Sequence, residues 1–291
     1  MKVLVTGANG FLGRHIVRGL SVDHSVLPVA RRNLVGDAAC ATSDYTVDSL
    51  VSLMHGVETV VHLAASRFNR ATTSECLSNT ILDQRVFEAA ERAGVPHVVF
   101  ASSRGVYGLQ PAPWTEQCAP APVTLYALAK LQSELSADFY SRRGMPVTVL
   151  RLSQLFGDGE YEGSAVNTFI DSARYGRRAT ITMTGMRREY TYVDDIVEAV
   201  KLVLMKPTAG IFNLGGGEVL DMETLARHVF RAFGRSDTAV EVVSDAQVSN
   251  EYSLMDSSLF RRTFGWRPQW TLSMASAALA EQLGAIPRTS A

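Results

Sequence analysis

Short β-branched runs alternate with longer helical stretches through the first half of the chain, and few folds accept that rhythm. Strand-like segments stand at KVLVT, HSVLPVA, TVVHLAA, HVVFASS and PVTVLRL. Between them lie helical patterns at FLGRHIVRGL, DSLVSLMHG, LSNTILDQRVFEAAERAG and LYALAKLQSELSADFYSRRG. Strands that are apolar at almost every position need cover on both faces, and intervening helices supply it. The expected class is α/β, a doubly wound parallel sheet built from βαβ units. Helix ends agree with this segmentation: Gly94 precedes Pro96 and Gly144 precedes Pro146, the order of a glycine stop followed by a residue that cannot continue a helix.

The first strand runs directly into Thr6-Gly7-Ala8-Asn9-Gly10-Phe11-Leu12-Gly13 and then a helix. Glycines at 7, 10 and 13 permit a tight turn, a close backbone approach to a ligand and close packing of helix on sheet. The helix start presents unpaired amides and the positive end of a dipole to a pyrophosphate. A Rossmann-type dinucleotide-binding domain over residues 1–156 follows, with Gly7, Asn9, Gly10, Phe11, Leu12 and Gly13 at the cofactor. The tip of the second strand reads Val29-Ala30-Arg31-Arg32, without the carboxylate that holds an NAD ribose. Arg31 and Arg32 suit a 2′-phosphate, so NADP is favoured over NAD.

After Gly157 the rhythm loosens. GDGEYEGSAVNTF is polar and glycine-rich, and TITMTGMRREYTYVDD is a strand-like patch with a basic step. Residues 157–291 are expected to form mainly a smaller, irregular substrate lobe, with segments near 188–215 returning to the sheet. A net charge of −1 over 291 residues argues against nucleic acid or an anionic membrane as the partner. Cys40, Cys76 and Cys118 form no framework and the histidines do not cluster with carboxylates, so neither disulfides nor a metal is expected. The N-terminus lacks the pattern of a signal peptide, and no apolar run reaches the ~18–20 residues of a membrane span. A cytoplasmic location fits this reading.

Tyr126 and Lys130 stand four residues apart in a helical segment, so the phenol and the ammonium share one side. Together with the glycine loop and the ASSRGVYG segment, this pair resembles the extended short-chain dehydrogenase/reductase family, the group of nucleotide-sugar epimerases, dehydratases and ketoreductases. VVHLAAS is similar to that family's fourth strand, and Asn79 to an asparagine opening the next long helix. VLRLSQLFGDG, RREYTYVDDIVEA and RRTFGWRPQWTL resemble further family segments, in the family's order.

The resemblance implies Ser103, Tyr126 and Lys130 as the catalytic set. Ser103 is preferred to Ser102 because it stands four residues before Tyr107. Asp44 and Tyr45 match the pair that meets the adenine. Leu63, Ala64 and Ala65 would lie along the cofactor with Asn79, and Ser66 would face the substrate. Arg188 matches an arginine that approaches the diphosphate in nucleotide-sugar members. Ser153 and Gln154 take substrate-facing positions where the family more often has Phe-Asn. The substrate implied is a sugar or nucleotide-sugar. Helices around Asn79–Ala93 and Leu125–Arg142 resemble those that pair between subunits, which implies a homodimer.

A free phenol titrates near pH ~10, and a neighbouring ammonium favours its phenolate. Such a group can remove a proton from a sugar hydroxyl as hydride leaves, or supply one to a carbonyl as hydride arrives. The dehydratases carry an acidic pair where this chain has Ser103-Arg104-Gly105, which discounts dehydration. Two reactions remain: NADP-dependent reduction of a keto-sugar, which is favoured, and NAD-dependent 4-epimerisation. A non-catalytic dinucleotide sensor on the same fold is a third reading. Elsewhere, Asp194-Asp195 reads as a helix N-terminus, His62 as a packed strand histidine, and Trp266 and Trp270 as core aromatics.

Overall fold

The computed structural model describes residues 1–32, 40–66, 72–161 and 163–284. A seven-stranded sheet forms the larger half. Its strands are β1 (Lys2–Thr6), β2 (Ser25–Ala30), β3 (Ala41–Thr42), β4 (Thr59–His62), β5 (His97–Ser103) and β6 (Val147–Leu152), with a late strand at Gly210–Leu214 on the edge. The late strand lies beside β6, then come β5, β4, β1, β2 and β3, and every pairing is parallel. The chain order reverses direction between β1 and β4. In such sheets, ligands bind at the carboxyl ends of the strands beside that switch.

Helices α1 (Phe11–Leu20), α2 (Val47–Leu53), α3 (Thr73–Arg92) and α4 (Leu125–Arg142) connect the strands. Strand alternation decides which face each residue serves. Leu4, Val60 and Phe100 pack with Val86, Phe87 and Tyr140 of α3 and α4, whereas Val3, Val5 and Val61 pack with Ile16 and Leu20 of α1. Both sheet faces are therefore buried, as near-continuous apolar strands require.

The C-terminal half is more regular than its sequence suggests. It contributes β7 (Gln154–Phe156), α5 (Ala165–Arg174), β8 (Ala179–Thr184), β9 (Arg187–Tyr192), α6 (Val193–Met205), β10 (the late strand Gly210–Leu214), β11 (Glu218–Asp221), α7 (Met222–Ala232), β12 (Val240–Val248), β13 (Tyr252–Ser253), α8 (Ser258–Phe264) and α9 (Leu272–Leu283). Helix α6 covers the α1 face of the large sheet through Ile196 and Val200. Of the segment near 188–215, only β10 joins that sheet. β9 instead pairs with β7, β11 and β13, and β8 pairs with β12. Phe169, Ile170, Tyr190, Leu225, Phe230 and Leu279 form a separate apolar core there.

Asp194 and Asp195 stand in the first turn of α6, as their sequence suggests, and Asp195 has a second role. Its carboxylate accepts from the backbone N–H groups of Gln269 (2.7 Å) and Trp270 (3.3 Å), tethering the C-terminal segment. Trp266 is buried and donates to the Asp195 carbonyl (3.1 Å). Among the described residues, no helix is long and apolar enough to cross a membrane.

Candidate active site

Strand β1 ends at Thr6, and Gly7 then takes a left-handed φ of +67°, turning the chain under α1. A Cβ on Gly13 would stand 2.1 Å from the Gly7 carbonyl oxygen, and one on Gly7 would stand 2.7 Å from the Ala64 nitrogen. The loop thus has no room for side chains at either position. Gly10 starts α1 without a side-chain cap, and the first turn carries no acidic residue. An open, positive helix start beside a glycine cradle fits a dinucleotide pyrophosphate. Gly7, Gly10, Phe11, Leu12 and Gly13 would form that seat. Asn9 donates to the Arg32 carbonyl (2.8 Å), which fastens the loop to the end of β2, where Arg31 and Arg32 are exposed. A groove of about 410 Å³ opens beside Ala8, Asn9, Arg14, Arg18, Pro28 and Cys40; neither Ser103 nor Tyr126 lines it.

Asp44 and Tyr45 separate in role. Asp44 is exposed and its carboxylate accepts from Thr46, in a local turn that holds the carboxyl below its usual range. Tyr45 is buried beneath the loop; its hydroxyl accepts from the Gly7 N–H (3.3 Å) and donates to the Val29 carbonyl (3.2 Å). Asn79 is also buried. It accepts from the Ser66 N–H (2.7 Å) and donates to the Ser66 carbonyl (2.8 Å), so it shapes the segment of Leu63, Ala64, Ala65 and Ser66 after β4.

Thr124 caps α4 by accepting from the Ala127 N–H (3.2 Å), which places Tyr126 in the first turn and Lys130 one turn deeper. Tyr126 is half-buried, whereas Lys130 is only 2% exposed. Its ammonium lies 3.6 Å from Asp83 of α3 and 4.4 Å from the centre of the Phe100 ring. Asp83 further accepts from Ser133 (2.7 Å) and from Nε2 of His62 (2.9 Å). Burial pushes the Asp83 carboxyl up, but Lys130, His62 and Ser133 outweigh it and hold it below its usual value. Nδ1 of His62 meets the Thr6 hydroxyl (2.7 Å), whose oxygen also accepts from the N–H groups of Leu63 and Ala64. That leaves the Thr6 proton for Nδ1 and assigns the ring proton to Nε2. His62 is thus a packed strand histidine that also joins the glycine-loop strand to the Lys130 counter-ion.

The segment after β5 carries Ser103 at the head of a single 3₁₀ turn, Arg104–Tyr107, where its hydroxyl accepts from the Gly105 N–H (3.1 Å). A Cβ on Gly105 would lie 3.3 Å from that hydroxyl and 3.2 Å from the Ala127 Cβ, so Gly105 lies between the serine and the turn that carries Tyr126. Ser102 is committed elsewhere, donating to Glu134. Glu134 and Arg151 form a buried bidentate pair, Arg151 donates to the Tyr107 hydroxyl (2.8 Å), and Tyr107 donates to Asn213 (2.7 Å). This network locks α4 to β5, β6 and β10. Asp83, Glu134 and Arg151 were not singled out from sequence.

Of the residues expected at the substrate, Ser153 lies between β6 and β7 with its hydroxyl against Thr191, and Gln154 of β7 pairs with Tyr190 in the small sheet. Arg188 is held by Glu251 through two parallel hydrogen bonds, Nε–Oε1 2.8 Å and Nη2–Oε2 2.7 Å.

Comparison with known proteins decides the family. Residues 3–215 match the NAD dependent epimerase/dehydratase family. The chain belongs to that family, and so to the enzymes of the extended short-chain dehydrogenase/reductase type. It is 29% identical to the UDP-N-acetylglucosamine 4-epimerase of Bacillus cereus, with a TM-score of 0.88 over 98% of this chain and 99% of that one. It is similar to the dTDP-glucose 4,6-dehydratase of Streptomyces griseus, 29% identical over 95% of this chain and 92% of the relative. The UDP-glucose 4-epimerase of Thermus thermophilus, solved in complex with NAD, superposes with a TM-score of 0.84 at 25% identity, covering 98% of this chain and all of that one.

Proposed function

We propose that this family member transfers hydride at a secondary carbon of a sugar or nucleotide-sugar, and that it works as an NADP-dependent reductase of a keto-sugar. The observation that supports the reading is the helical turn in which half-buried Tyr126 precedes a fully buried, ion-paired Lys130, with Gly105 between that turn and the Ser103 hydroxyl.

A bound nicotinamide dinucleotide supplies or accepts the hydride. Tyr126 gives its phenolic proton to the substrate oxygen in the reductive direction and recovers one in the oxidative direction. Ser103 donates to the same oxygen and fixes its position. Lys130, paired with Asp83, sets a positive field at the phenol and would hold the ribose hydroxyls. Residues 1–156 seat the cofactor and residues 157–291 mainly the substrate. Arg31 and Arg32 support NADP, because both are exposed at the end of β2, beside the loop that Asn9 fastens there, and their guanidiniums suit a 2′-phosphate.

The likeness to 4-epimerases across the whole chain favours a second reading, in which NAD stays bound and hydride returns to the other face of the ring. Arg104 stands where a dehydratase needs a carboxylate, which weighs against elimination of water. Mass spectrometry of the purified protein separates the readings. Exchangeable NADPH, with a preference over NADH that narrows in Arg31→Ala/Arg32→Ala, supports the reductase. Tightly retained NAD with no net redox turnover supports the epimerase. Turnover that survives Tyr126→Phe removes both.

Exposed Leu77 and Ile81 on α3, with Leu135 and Phe139 on α4, form an apolar face on two adjacent helices. A second copy of the chain would cover it, making a homodimer. Leu135→Asp/Phe139→Asp should then halve the mass measured by light scattering.

A further inference from the structure

We propose that Glu251 closes the anion seat of this site, so that the substrate is an uncharged sugar without a diphosphate. The inference rests on the hydride-transfer reading above and narrows its substrate class.

Arg188 is the residue that the family resemblance assigns to a diphosphate, and its guanidinium fork is fully engaged by one carboxylate. The same carboxylate reaches back toward the reacting end: Arg104 Nη1 lies 3.9 Å from Glu251 Oε1, and Arg104 directly follows Ser103. Glu251 therefore bridges the arginine beside the serine and the arginine deeper in the lobe.

Its backbone is part of the sheet. The Glu251 carbonyl accepts from the Arg187 N–H (2.8 Å), its own N–H donates to Ser249 (3.2 Å), and the next two residues pair with Arg187 and Arg188 in β9. A diphosphate at Arg188 would have to sit within a side-chain length of a carboxylate whose backbone is tied to β9. Like charges at such distances repel strongly in half-buried surroundings.

Arg188 and Arg104 both lie within reach of the Glu251 carboxylate. An Arg–Glu pair does offer adjacent donors and acceptors, which match vicinal hydroxyls of a neutral sugar.

The test is calorimetric titration of the cofactor-loaded protein with UDP-glucose and dTDP-glucose, with NADPH and NADH binding followed by fluorescence in the same samples. The wild type should not saturate with either nucleotide sugar below the millimolar range. Glu251→Gln, which frees the Arg188 fork, should bind them about tenfold tighter or more, and adding Arg188→Ala should remove the gain. Micromolar binding by the wild type, or no gain in a folded Glu251→Gln, overturns the proposal. If that variant does not fold, the wild-type titration decides alone. Failure of the hydride-transfer reading shows separately, as absent dinucleotide binding or as turnover indifferent to Tyr126→Phe.

Discussion

In the sheet half, the side chains of Asp83, Lys130, Glu134 and Arg151 are at most 3% exposed, whereas in the lobe those of Arg188 and Glu251 keep 30% and 29%. The two sets do different work. The dry pairs sit where α3 and α4 cross the ends of β4, β5 and β6, and every charge there has a fixed partner. Water cannot replace any of them cheaply, so they hold the Tyr126 turn in one place. The half-wet pair in the lobe is reached by solvent, and its carboxylate occupies the arginine fork that a ligand anion would need.

The largest expected effect tests the dry side of this contrast. Asp83→Ala leaves the Lys130 ammonium buried without a counter-charge and also removes the acceptor for His62 and Ser133. The loss in unfolding free energy should be about 3–5 kcal/mol, read from urea titration. A loss below about 1 kcal/mol would mean that Lys130 finds water, and the distinction between the halves would fail.

Much of the sheet half could be read from the chain, and Asp83 shows where reading stopped. Strand runs, glycine loop and the Tyr126–Lys130 spacing are local patterns, and local patterns survive into the fold. Asp83 lies at i+4 from Asn79 and shares the buried stripe of α3 with Val86, Phe87 and Ala90. An acid on that stripe was a usable signal of a buried cation, but helical spacing alone does not say which cation. Glu251 gave no such signal, because its partner lies 63 residues away across two short strands. The small sheets were illegible for the same reason: β9 takes its partners from three separate stretches, and β3 has only two residues. Tyr45 is a third case, since the adjacent Asp44 faces solvent while the ring turns in under the loop.

The halves should also differ in their response to pH. Burial pushes His97 of β5 down to about 4, and its Nε2–H donates to Thr148. With its folded value below the unfolded one, His97 contributes stability that is present above pH ~6.5 and lost as pH falls toward ~4. Burial pushes Glu189 of β9 up to about 7, although the N–H groups of Gly217 and Met255 donate to it. Its contribution is present below the unfolded value and lost as pH rises through ~7. Each is worth up to about 3 kcal/mol, with opposite sign between pH ~4.5 and ~6.5. Urea titrations from pH 5 to 8 should show the wild type weakening as pH rises above 6.5. Glu189→Gln should abolish that decline and uncover a steeper loss below pH 6.5. A pH profile unchanged by the substitution would remove Glu189 from the account.

Gly13→Ala should cost about 1–3 kcal/mol, because the new Cβ meets the Gly7 carbonyl and neither backbone can yield alone. Its sharper consequence is loss of NADPH and NADH fluorescence enhancement, since displacing α1 from the loop misaims the amides at its start. Unimpaired dinucleotide binding would place the pyrophosphate elsewhere.

The smallest expected effect tests the wet side. Glu251→Ala breaks two hydrogen bonds to Arg188, yet the guanidinium left behind is 30% exposed and can be rehydrated where it stands. Exposed or half-exposed pairs contribute about 0–1 kcal/mol, and this variant should fall in that range by urea titration. The comparison is meaningful because the fork geometry resembles that of the buried Glu134–Arg151 pair, leaving hydration as the main variable. A loss approaching that of Asp83→Ala would make Glu251 a structural strut of the β9–β13 sheet and not a residue whose role is to occupy the Arg188 fork.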